Sequence, residues 1–156
     1  MQNRETAKVI AAPPILFAGA LALGLLLNAF HRVAIMPGIR VWRIVTAAVL
    51  IAFGLVLSSA VVLTFRRAAT PVSPRKKTMR LVCGGPYRYT RNPDYIGQLA
   101  LYIGIALALN SLWLLIWFPL LVALIHWGVA LREERYLESK FGQEYREYKA
   151  RVRRWL

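Results

Sequence analysis

Charge-free apolar runs alternate with short basic segments along this chain, and the lengths of the runs predict helices that cross a bilayer. No residue from Val9 to Phe30 is charged, which at about 1.5 Å per helical residue covers a hydrocarbon core of roughly 30 Å. The run is too long for the core of a signal peptide and is followed by Phe30-His31-Arg32 rather than a small-residue cleavage site, so it reads as a retained span over 9–30. Pro13-Pro14 falls in its first turns, where a missing backbone donor does least harm. A second span, 41–65, carries no charge after Arg43 and is closed by Arg66-Arg67. The charge-free stretch from Tyr95 to Leu131 is interrupted by the turn-forming pair Asn110-Ser111, which predicts a helical hairpin with arms 93–109 and 112–131. Its first arm is short for a full crossing and places Asp94 in a polar recess below headgroup level. Beyond it, Leu137, Phe141, Tyr145, Tyr148, Val152 and Trp155 recur at helical spacing opposite Arg and Lys, the pattern of an amphipathic interfacial helix, with Gly142 a break or bend within it.

The expected fold is therefore an all-α integral membrane protein of about four transmembrane helices, a single domain over 1–156. Composition agrees, with 58% hydrophobic residues gathered in runs rather than alternating with polar ones. The net charge of +14 flanks the apolar runs instead of lining an aromatic-interleaved surface, which points to anionic lipid headgroups rather than nucleic acid as the partner. Segments 1–8, 66–92 and 132–156 carry 18 of the 21 Lys and Arg residues, so the positive-inside rule predicts that both termini, the loop and the tail are cytoplasmic. Cys83, the only cysteine, permits no internal disulfide and offers no metal cluster.

Two segments carry more polar chemistry than a passive bundle needs: Leu81–Gly97, LVCGGPYRYTRNPDYIG, and Arg132–Tyr148, REERYLESKFGQEYREY. The hairpin returns the chain to the side it left, so both clusters meet at one mouth. Taken singly, Glu133 and Glu134 beside Arg132 and Arg135 read as a solvated helix exit. Arg88 and Arg91 read as topology determinants, and Tyr87, Tyr95 and Trp127 as an aromatic belt. His126, inside the last span, is a catalytic candidate by its position, or a histidine bonded to a neighbouring helix.

The motifs in their order are more specific than any one residue. Gly85-Pro86-Tyr87, then Arg91-Asn92-Pro93-Asp94-Tyr95-Ile96-Gly97, then Glu133-Glu134 and Phe141-Gly142-Gln143-Glu144-Tyr145 resemble the isoprenylcysteine carboxyl methyltransferase family, which is related to the phospholipid methyltransferases. The resemblance covers about Met79 to the C-terminus. It implies an enzyme that uses S-adenosylmethionine and yields S-adenosylhomocysteine, with Met79, Arg80, Leu81, Val82 and Tyr87 lining the nucleotide pocket. It further implies cofactor contacts from Asn92, Pro93, Asp94 and Tyr95, and from Glu133, the first of the paired glutamates. The chemistry of the residues is compatible: the cofactor presents an ammonium, a carboxylate, a sulfonium and an adenine, which want a carboxylate, a cation and aromatic faces. Glu133 or Glu134 can meet the ammonium, Arg88 or Arg91 the carboxylate, and Tyr87 or Tyr95 the adenine or sulfonium. In-line methyl transfer needs alignment and dehydration rather than a nucleophilic side chain. An amine acceptor would have to shed a proton, to Glu134, His126 or water.

The chain departs from the family pattern at two positions. Asn92 stands where the family has histidine, so an imidazole role is replaced by amide hydrogen bonding. Val129 stands where eukaryotic members carry an arginine thought to hold the substrate carboxylate, so the expected acceptor is lipophilic but not fixed as a prenylcysteine carboxylate. The competing readings are a membrane reductase related to sterol reductases, with Arg75, Lys76 and Lys77 available for the NADPH 2′-phosphate, and a membrane protein without enzymatic activity.

Overall fold

The computed structural model describes residues 9–69 and 81–155. Every element in them is helical: α1 (Pro13–Phe30), α2 (Val41–Arg67), a single 3₁₀ turn at Gly85–Arg88, α3 (Pro93–Ala108), α4 (Leu112–Ala123), α5 (Leu131–Phe141) and α6 (Gln143–Arg151). A π-helical stretch, Leu124–Ala130, joins α4 to α5 without a loop, so the second hairpin arm does not stop at residue 131 but runs on to Phe141. The sequence predicts four crossings. Three helices, Pro13–Phe30, Val41–Arg67 and Leu112–Phe141, are long and apolar enough to cross a membrane, while α3, with 16 residues, is shorter than these.

Prolines start two of these helices. Pro13 and Pro93 open α1 and α3, where the missing N–H is one that no helical carbonyl would have received. The break after α5 is made by Gly142, whose φ of 54° and ψ of −119° lie in a region closed to residues with a Cβ. The predicted amphipathic segment thus becomes two helices. The aromatic side of the second, Tyr145 and Tyr148, is buried against the protein, and Arg146, Glu147 and Lys149 face outward.

The hairpin arms pair mainly with other helices: α3 lies along α2, and α4 along α1. In lipid there is no water to drive helices together, so close packing needs small residues. Gly54 of α2 meets the backbone of α3, where an added Cβ would lie 2.6 Å from the Gly97 carbonyl oxygen and 3.0 Å from the Leu101 nitrogen. Gly104 is similarly tight, its Cβ position being 3.1 Å from the Ala47 carbonyl oxygen. On the other pair, Gly24 receives the Leu114 side chain.

The turn at Asn110 closes the end of the bundle away from the paired glutamates. Asn110 has a φ of 52°, and its amide clamps the α1–α2 connection by donating to the Met36 carbonyl at 2.8 Å and accepting from the Met36 N–H at 3.2 Å. Arg43 is buried, and its guanidinium caps the last turn of α3 by donating to the carbonyls of Leu107 and Ala108. One of the three basic residues of segment 31–43 is therefore a helix cap rather than a flanking topology charge. Arg43→Ala removes a charged donor from buried carbonyls and is expected to cost about 1.5–3 kcal/mol of stability. Thermal melting in detergent checks this, with an unchanged midpoint counting against the cap.

Candidate active site

At the opposite end, four chain segments converge: the 3₁₀ turn with the residues after it, the start of α3, the start of α5, and the tail after α6. Tyr95, one turn into α3, is buried, and its hydroxyl donates to Glu133 Oε2 at 2.7 Å. Beside it, Asp94 Oδ2 accepts from Gln98 Nε2 at 2.7 Å, one helical turn along. Consecutive helical residues point about 100° apart, so Glu133 and Glu134 face different neighbours, and the π turn ahead of them sets which ones. Glu134 is buried and receives Arg154 bidentately, Nε at 2.7 Å from Oε1 and Nη2 at 3.1 Å from Oε2. Arg91 Nη1 approaches the same Oε2 at 3.3 Å.

Arg91 differs from Arg154 in what remains open. Its side chain is 9% exposed and lies near Tyr145, yet Nε and Nη1 have no hydrogen-bond acceptor. Buried donors of this kind are costly unless a partner arrives. Glu133 is the complementary case: Tyr95 is its hydrogen-bond partner, and no cation is paired with it among the described residues.

The phenols around these groups stay protonated. Burial, then the charges of Glu133 and Asp94, hold the Tyr87 hydroxyl well above its ordinary range. Burial and the Glu134 charge push Tyr145 up to about 12, and burial also raises Tyr148. All three can therefore donate at neutral pH. Tyr87 packs edge-on against Phe65 of α2, ring centroids 5.6 Å apart, and its carbonyl accepts from Tyr148 at 2.8 Å. Gly85 permits the turn, since its φ is 58° and a Cβ there would sit 2.6 Å from Thr64 Oγ1.

The tail after α6 returns across the loop ahead of α3. The Arg153 carbonyl accepts from the Arg91 N–H at 2.9 Å, and the Arg154 carbonyl accepts from Thr90 Oγ1 at 3.0 Å and Asn92 Nδ2 at 2.9 Å. Trp155 Nε1 donates to His126 Nδ1 at 3.3 Å, with the rings 5.9 Å apart.

The structure thus brings Tyr87, Arg91, Asp94, Tyr95, Glu133 and Glu134 to one end. Leu81 and Val82 form a half-buried lead into the turn, and Met79 and Arg80 lie outside the described residues. Asn92 and Pro93 are buried at the start of α3, and the Asn92 amide is engaged by the tail. His126, taken with Arg91 and Glu134 as a catalytic candidate, has Trp155 and Trp127 as its neighbours. Sequence reasoning missed Thr90 and Arg154, and it read Tyr145, Tyr148 and Trp155 only as an apolar helix face. Two adjacent glutamates beside a single motif arginine were the available hint that a further cation is recruited.

Helices able to cross a membrane, with carboxylates, guanidinium groups and phenols gathered in the protein at one end, define an integral membrane protein with a polar cluster at that end. Residues 42–144 match the phospholipid methyltransferase family, and the chain belongs to it, a family of membrane methyltransferases that includes the isoprenylcysteine carboxyl methyltransferase-like enzymes. The match takes in α2, ahead of the motifs that carry the resemblance, and ends before the tail. An "Uncharacterized protein" of Haemophilus influenzae is 80% identical over 25 residues, 16% of this chain, which spans 40% of that relative's length. No solved structure matches the chain.

Proposed function

We propose that this protein transfers a methyl group from S-adenosylmethionine to a lipophilic, membrane-embedded acceptor. The observation that carries the reading is the separation of charge in the cluster: Glu133 has no cation paired with it among the described residues, while Arg91 has an open donor at Nε and only a 3.3 Å approach from Nη1 to Glu134. An amino-acid zwitterion needs that pair. Glu133 would hold the ammonium and Arg91 the carboxylate, while the protonated hydroxyl of Tyr87 offers a donor and the buried ring of Tyr95 an electron-rich face. When bound, the cofactor supplies an electrophilic methyl on a sulfonium. The chain's own part is to orient the two reactants and exclude water, which the burial of Tyr95, Asn92 and Glu134 favours. Glu134, already held by two arginines, serves better as a fixed anion than as a proton acceptor.

The acceptor reading rests on architecture. The site lies at the end of helices that face lipid, so an apolar substrate can enter from the side. Val129, fully buried in the π stretch, provides no charge for an acceptor carboxylate. Ile10, whose N–H donates to the Gly128 carbonyl at 3.2 Å, and Trp155, bonded to His126, both lie at the site end. Together with the distribution of basic residues, this supports a cytoplasmic site flanked by both termini, in contact with anionic headgroups. Cys83 is exposed and is the only cysteine. A membrane-impermeant maleimide is therefore expected to label it in inside-out vesicles and not in intact cells, and labelling of intact cells would reverse the orientation.

Calorimetric titration of the detergent-purified protein with S-adenosylhomocysteine, and separately with NADPH, tests the activity reading. Saturable binding of the homocysteine adduct alone is expected. Binding of NADPH alone, or of neither ligand by folded protein, would replace the reading with the reductase or the non-enzymatic one.

A further inference from the structure

We propose that Arg154 is a positioning residue that keeps Arg91 available to a ligand oxyanion by occupying Glu134. The inference rests on the cofactor reading above and adds a part of the chain beyond residue 144, where the family match ends. Two guanidinium groups share one carboxylate, and they share it unequally. Arg154 takes both oxygens, at 2.7 and 3.1 Å, the bidentate geometry in which an Arg–carboxylate pair is strongest. Arg91 keeps one longer approach of 3.3 Å, made by Nη1 without a hydrogen bond, and leaves Nε without an acceptor.

The consequence is competitive. Without the Arg154 guanidinium, the buried Glu134 has Arg91 as its nearest cation, and a carboxylate in that setting draws the remaining guanidinium into the two-oxygen pair. The donors that would meet the ligand's carboxylate are then withdrawn into the protein. Arg154 acts on the ligand through Glu134 and Arg91 without touching it.

This role separates from a merely structural one because the tail is also tied down by its backbone. The contacts to Arg91, Thr90 and Asn92 use the carbonyls of residues 153 and 154, and an alanine at 154 retains them. Arg154→Ala should therefore leave the strap in place and remove only the competing cation.

The test compares two ligands by calorimetry: S-adenosylhomocysteine, and methylthioadenosine, which keeps the nucleoside and thioether but lacks the amino-acid end. Arg154→Ala is expected to weaken the first about tenfold, the scale of one charged hydrogen bond, and to leave the second unchanged. The double variant Arg154→Ala/Glu134→Gln removes the competitor for Arg91 and is expected to regain most of the lost affinity. Unchanged S-adenosylhomocysteine affinity in Arg154→Ala overturns the proposal, as does an equal loss for both ligands that the double variant fails to repair. Absence of S-adenosylhomocysteine binding by the wild-type protein would instead overturn the cofactor reading beneath it. Melting curves of each variant separate loss of fold from loss of affinity.

Discussion

Gly54→Leu is expected to prevent α2 and α3 from packing and to leave little folded protein in detergent. Even the first added carbon has no room: its position lies 2.6 Å from the carbonyl oxygen of Gly97 and 3.0 Å from the backbone nitrogen of Leu101. Backbone atoms inside a helix cannot rotate aside as a side chain can, so the helices have to part, and overpacking of this kind costs roughly 1–3 kcal/mol even where some relaxation is possible. The rest of a leucine side chain widens the gap along an interface that has no hydrophobic effect to close it again. The loss reaches the site because α3 carries Asp94 and Tyr95 at the end of that interface, while α2 carries Phe65 against Tyr87. Gly19→Leu is the control, since a Cβ there meets nothing within 4 Å. Monodisperse yield and melting midpoint are the readouts, and equal behaviour of the two variants would remove the α2–α3 contact as the basis of the fold.

That contact also marks where the sequence stopped being informative. Three long apolar helices were legible because runs without charge have one reading at their length, and Pro13, Pro93, Asn110 and Gly142 punctuate the chain where local backbone chemistry requires it. Which helix packs on which was not, because in lipid the packed and the exposed faces are equally apolar. On α2, Ala47 and Gly54 differ from their lipid-facing neighbours in size and hardly in polarity. The hairpin correctly brings the motif loop and the glutamates to one end, yet its arms pair with α2 and α1 rather than chiefly with each other.

The π stretch was equally invisible. Leu124–Ala130, LIHWGVA, is as apolar as the helix before it, and no residue type in it requires a wider turn. The effect on the site is large, because such a turn shifts everything after it by about one residue, roughly 100° around the helix. Helical periodicity alone does not decide whether Glu133 or Glu134 faces Tyr95. The tail escaped notice for a related reason: Tyr145, Tyr148 and Trp155 have the spacing of a membrane-surface helix, and only the bend at Gly142 turns the first two toward the protein.

Glu133→Gln is expected to reduce S-adenosylhomocysteine affinity roughly a hundredfold, about the upper end of what one charged hydrogen bond contributes, while leaving the protein folded. Glutamine keeps the shape and an acceptor for the Tyr95 hydroxyl, now 2.7 Å from the carboxylate, so the local packing has no reason to change. It removes the carboxylate that the proposal assigns to the ligand's ammonium, and among the described residues the neighbouring acidic groups already have partners. Glu134 is held by Arg154 and Arg91, and Asp94 by Gln98. Tyr95→Phe, which keeps the Glu133 carboxyl group and deletes its neutral donor, is expected to cost about fivefold. Methylthioadenosine, having no ammonium, should bind Glu133→Gln as it binds the wild type. A larger loss for Tyr95→Phe than for Glu133→Gln would move the ammonium away from Glu133, and a loss shared by both ligands would make the carboxylate a support for the nucleoside end instead. The ordering of the two variants, more than the size of either effect, tests whether the half-buried carboxyl of Glu133 is there to meet a cation.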